Sequence, residues 1–143
     1  MASQRGRPLS PHLTIWKWGP HMAVSILHRA TGTAMATAGT MLFVWWLIAA
    51  ATSADAYATF YYYVVDAADG ATGGWVANIL ARLVGFGLTW AFFQHMFSGM
   101  RHLVLDTGAG YELGLNKRWA LATMVGSTVV NLLVWAYILV GRH

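Results

Sequence analysis

Three long apolar stretches separated by short polar clusters set the pattern of this chain. Ala30 to Ala54 is 25 residues without a formal charge, Trp119 to Val140 is 22, and 18 uncharged residues lie between Arg82 and Arg101. About 20 apolar residues suffice to cross a bilayer. The pattern therefore predicts an all-α integral membrane protein: an arm over residues 1–20, then a three-span domain over 21–143 with approximate spans 21–54, 75–105 and 119–141. Pro8, Pro11 and Pro20 punctuate the arm and argue against a long helix before Pro20. Threonine, alanine and glycine recur through Thr31–Thr40, and small residues at that density let helices approach closely. Between the first two spans, Tyr57 and Phe60–Tyr63 read as an interfacial aromatic belt, with Gly70, Gly73 and Gly74 as a turn. Gly108 and Gly110 follow the second span, as expected just past a helix C-terminus.

Composition sharpens this reading. The chain is 57% hydrophobic and only 10% charged, with eight tryptophans, whereas soluble domains average about 25% charged residues. Its net charge of +4 does not point to nucleic acid, because the basic residues are scattered near helix ends and form no stripe. With no cysteine, the chain excludes disulfides, thiolate-held iron–sulfur clusters and the Cys-x-x-Cys-His attachment of haem. Any haem here is non-covalent and b-type. The opening Met-Ala-Ser-Gln-Arg-Gly-Arg-Pro has no apolar core or cleavage site of a secretory signal. It is also short for a mitochondrial transit peptide, which favours a bacterial inner membrane.

Orientation follows from the basic residues. Arg5, Arg7, Lys17 and Arg29 precede the first span, and Arg101, Lys117 and Arg118 lie between the second and third. Arg82 and Arg142 fall toward the other side. Seven against two predicts a cytoplasmic N-terminus and an outward C-terminus. That topology puts the start of the first span and the end of the second at one depth.

The candidate chemistry sits at that depth. His95 is an ionisable group inside a span, which is costly and usually functional. It reads as a metal or haem ligand, against the blander alternative of a histidine bonded to a neighbouring carbonyl. His102 lies two turns on, roughly 10 Å away along the axis, too far for both rings to hold one metal ion. A second axial ligand would then come from elsewhere. Ser25, His28 and Arg29 share one helical face by their spacing. They suit donation to a quinone carbonyl and pairing with haem propionates. Equally, Arg29 snorkels to headgroups and Ser25 bonds back to its own helix. Arg101 and His102 complement the helix dipole, with Arg101 also a candidate propionate partner and His102 able to pair with Asp106. Arg82 reads as snorkelling outward. Gly85-Phe86-Gly87, inside a span, is not a dinucleotide fingerprint.

Two motifs then carry a resemblance. The arm Arg7-Pro8-Leu9-Ser10-Pro11-His12-Leu13-Thr14-Ile15, followed by Ser25-Ile26-Leu27-His28-Arg29-Ala30-Thr31-Gly32, resembles the cytochrome b556 (C) subunit family of succinate dehydrogenase. So does His95-x-x-x-Gly99-Met100-Arg101-His102-Leu103-x-x-Asp106. The proline-rich arm is similar to the alphaproteobacterial and mitochondrial branch. Trp16, where tyrosine is frequent, and His21, where an apolar residue is usual, depart from the pattern.

The resemblance implies an anchor that pairs with a second small three-helix subunit (D) in a haem-binding bundle. It would hold an iron–sulfur subunit (B) and a flavoprotein (A) at the cytoplasmic face. Succinate is oxidised at FAD in the flavoprotein, and electrons pass through the clusters to ubiquinone. By position, His95 is an axial ligand of a haem b shared with the partner. Ser25 and Arg29 are quinone-site residues, Trp18, Met22 and Ile26 line that pocket, and His28 and Arg29 lie near the propionates. A quinol:fumarate reductase anchor and, from another class, a cofactor-free membrane assembly protein are the alternative readings.

Overall fold

The computed structural model describes residues 17–67 and 72–141. The arm through Trp16, with its proline motif, and Asp69, Gly70 and Arg142 lie outside the described residues. The first helix starts where its sequence dictates. Pro20 sits in the first turn, where its missing N–H costs nothing, after an extended Gly19. Helix α1 (Pro20–Ala34) continues through a π-helical turn, Met35–Gly39, into α2 (Thr40–Thr52). Together they form one apolar span of 33 residues, roughly 50 Å long at 1.5 Å per residue.

The span stops at Ser53 rather than at Ala54. Ser53 is extended, and its hydroxyl accepts from the Ala56 N–H at 3.1 Å, so it caps a separate helix α3 (Ala54–Val64). Asp55 in the first turn suits the helix dipole. The aromatic segment is thus a helix. It buries Phe60 edge-on against Trp45 of α2, ring centroids 5.0 Å apart. Helix α4 (Thr72–Asp106) begins before the expected turn glycines Gly73 and Gly74, which lie inside it. Asn78 ties it to α3, accepting from the Ala67 N–H and donating to the Tyr62 and Tyr63 carbonyls at 2.7 and 2.9 Å. Past α4, Gly108 and Gly110 take positive φ, which only glycine adopts cheaply. Helix α5 (Leu113–Val140) opens six residues before Trp119, taking in Lys117 and Arg118.

The long helices run up, down and up. Between α4 and α5 the partners descend in opposite order: Arg101 with Asn116, Gln94 with Ser127, Trp90 with Thr128, Phe86 with Trp135. Between α1 and α4, His28 meets Ser98 and Thr31 meets His95. Among the described residues three helices are each long and apolar enough to cross a membrane, so the chain is a multi-pass membrane protein, all-α over the described residues.

Its interior inverts the soluble pattern. The most deeply buried side chains include Gln94, Ser98, Ser127 and Asn131, while large apolar residues such as Phe43, Leu83 and Leu133 face outward. In a bilayer the apolar faces meet lipid or other apolar helices, and polar groups gather inside.

Candidate functional site

Three histidines meet where α1 crosses the lower half of α4. His28 and His95 stack face to face, centroids 3.9 Å apart at 11°, and His102 lies 5.1 Å from His28. Their hydrogen bonds settle the tautomers. His95 Nδ1 is 3.0 Å from the His28 carbonyl, and His102 Nδ1 is 2.6 Å from the Ser98 carbonyl. A carbonyl only accepts, so both Nδ1 atoms carry the proton. The Ser98 hydroxyl donates to the Gln94 carbonyl at 2.6 Å, which leaves its lone pair to accept from His28 Nδ1 at 2.7 Å. In the neutral form of all three rings, Nε2 is then the bare, electron-donating nitrogen.

His95 is the ring the fold seats most closely. A Cβ at Gly32 would fall 2.9 Å from its Cε1, so the imidazole occupies space that any other residue would fill. Thr31 adds a hydroxyl 3.4 Å from its Nδ1. One helical turn from His95, Ala91 begins an apolar groove of about 420 Å³ between α1 and α4, walled by small residues including Ala30, Ala34, Ala38 and Gly87. An imidazole with a free Nε2, its Nδ1–H held by a carbonyl, beside an apolar groove, is the donor set a haem b needs. Among the described residues no group of three histidine, cysteine or acidic side chains is placed to hold a metal ion.

The other sequence-predicted residues fall on a second face. Val24, His28 and Thr31 turn toward α4, whereas Met22, Ile26 and Arg29 lie more than a quarter of a turn round the helix at about 100° per residue, with Ser25 between the two faces. Arg29 and Ile26 are exposed, Ser25 and Met22 half-buried, and neither Ser25 nor Arg29 has a hydrogen-bond partner among the described residues. Trp18 is exposed just ahead of the same helix. This face presents a hydroxyl and a guanidinium on an apolar background, open to whatever packs there.

Arg101 does not turn to the histidines. Its Nη2–H donates to Asn116 Oδ1 on α5. His102 is likewise not paired with Asp106 among the described residues, because its Nδ1–H is taken by the Ser98 carbonyl one turn back. Arg82 is exposed beside a small groove shared with Trp135. Sequence reasoning passed over Ser98 and Gln94. Their signal was present, two polar residues four apart in an apolar span and so on one face.

Comparison with known proteins agrees with the family resemblance. Residues 3–134 match the family described as succinate dehydrogenase/fumarate reductase transmembrane subunit. A succinate dehydrogenase cytochrome b556 subunit of Paracoccus denitrificans is 36% identical over 127 residues, 89% of this chain and 88% of that one. The subunit of the same name from Rickettsia conorii is 32% identical over 129 residues, 90% of each chain. A mitochondrial cytochrome b560 subunit of Sus scrofa is 36% identical over 107 residues, covering 75% of this chain and 57% of its own. The chain belongs to this transmembrane-subunit family.

Proposed function

We propose, with that family membership as premise, that the chain is the haem b- and quinone-binding anchor of a succinate:ubiquinone oxidoreductase in a bacterial inner membrane. The observation that carries this reading is the seat of His95: an Nδ1–H fixed by the His28 carbonyl and a ring pressed against Gly32, one helical turn from Ala91 in an apolar groove. His95 would hold the iron on one side, a partner anchor subunit supplying the other ligand. The bound haem supplies a one-electron redox centre. The His28 carbonyl and ring brace His95, with Ser98 holding His28 in turn; the small groove residues would keep water from a bound haem, and Arg29, next to His28, would pair with its propionates.

Ubiquinone takes the open face of α1. There Ser25 and Arg29 donate hydrogen bonds to a quinone carbonyl, and Trp18, Met22 and Ile26 provide apolar wall. Donors already aimed at the oxygen stabilise the negative charge that grows on it during reduction. That face is incomplete in this chain alone, which suits a site closed by an iron–sulfur subunit and a second anchor, with the succinate-oxidising flavoprotein beyond them. The relatives' names support succinate oxidation over the fumarate direction.

The test separates the two half-reactions. In the purified complex, Arg29→Ala is expected to lower succinate:quinone reductase activity tenfold or more, while succinate oxidation by a soluble dye stays within about twofold. Unchanged quinone reduction removes Arg29 from the site. A dithionite-reduced spectrum without b-type absorbance removes the haem role but not the anchor role; a cofactor-free assembly protein is left only if quinone reduction also tolerates Arg29→Ala.

A further inference from the structure

On the side of α4 turned away from the histidines, α4 and α5 part to leave an apolar groove of about 380 Å³. Phe97, Val104, Trp119, Ala122 and Gly126 form its walls, and Arg101 is the charged residue in it. Arg101 is only 6% exposed. Its hydrogen-bond partner, Asn116, is neutral, its Nε is buried without a partner, and no charged group faces it among the described residues. A buried cation without a counter-charge is strongly unfavourable, so an anion belongs there.

The surroundings say what kind. Lys117 and Arg118, exposed at the start of α5, place two more cations at the same end of the bundle. Below them the groove is apolar down to Phe97 and Gly126. A carboxylate side chain would satisfy Arg101 and leave the groove open. A phosphodiester bearing acyl chains satisfies both, and basic pockets between membrane helices bind such headgroups. We propose that this groove binds an anionic phospholipid of the adjacent leaflet, its phosphate on Arg101 and one acyl chain lying between α4 and α5. The inference is independent of the haem and quinone reading, since it uses neither face of α1.

The complex purified through this chain would be delipidated in mild detergent. It would then be titrated with phosphatidylglycerol or phosphatidylcholine, and bound lipid counted by native mass spectrometry. Wild type is expected to retain phosphatidylglycerol at least tenfold better than phosphatidylcholine, and Arg101→Gln to remove that preference. Ala122→Phe is expected to lower occupancy by both lipids; position 122 is exposed, so the larger ring fills the groove without entering the bundle. Should Arg101→Gln fail to assemble, Ala122→Phe decides. Occupancy unchanged by Ala122→Phe, or an undiminished preference in an assembled Arg101→Gln complex, overturns the site. So does a photo-reactive residue at position 122 that captures a protein subunit instead of lipid.

Discussion

At the scale of single residues, the histidines show what spacing reveals and what it hides. His95 stood out because an ionisable group in a span is costly, and the structure gives its Nδ1 the carbonyl partner that the blander alternative called for. Its contacts were not legible, since they come from a carbonyl and a glycine on another helix. Gly32 is the sharpest of these. A valine there would drive its branched side chain into the imidazole, whose Cε1 already lies 2.9 Å from the Cβ position. Gly32→Val is expected to cut the b-type absorbance of the purified complex severalfold. Gly114→Ala, where nothing lies within 4 Å, should leave it unchanged. Equal spectra for the two variants would mean that the ring is not seated as described. Arg101 shows the opposite case: it read as a helix-end cation or a propionate partner, while helical rotation sends it to α5 and Asn116.

At the scale of elements, the three spans were legible from their length and lack of charge, because a bilayer demands both. Helix α3 was not. Its aromatic run fits an interface equally well as a belt or a helix, and the deciding residue is Ser53, whose capping bond to Ala56 becomes visible only in the fold. The return from α3 to α4 depends on Asn78, which is 5% exposed and makes three hydrogen bonds to backbone groups of residues 62, 63 and 67. Asp has the same shape and no donor. Asn78→Asp therefore leaves the Tyr62 and Tyr63 carbonyls unsatisfied beside a carboxylate, at a cost of about 2 kcal/mol or more. A lower thermal unfolding midpoint of the detergent-solubilised complex, with faster proteolysis near residues 66–71 and an unaltered haem spectrum, is the expected signature. An unchanged midpoint would show that the α3–α4 connection contributes nothing to stability.

For the whole molecule, the helix order fixes which ends lie together, and charge fixes which end faces inward. Lys17, Arg29, Arg101, Lys117 and Arg118 lie at the end carrying the histidines, while Asp55, Asp66 and Arg82 lie toward the other. Basic residues are retained on the cytoplasmic side during insertion, so the histidine end is expected inside, where an iron–sulfur subunit could reach Ser25 and Arg29. The absence of native cysteine makes this measurable without background. Asp55→Cys and Glu112→Cys, both at exposed positions at opposite ends of the bundle, would be treated with a membrane-impermeant maleimide in spheroplasts. Labelling of position 55 in intact spheroplasts, and of position 112 only after lysis and denaturation, is the expected result. The reverse pattern would put the quinone face on the periplasmic side, away from any cytoplasmic electron donor, and the proposed route from succinate would have no path to this chain.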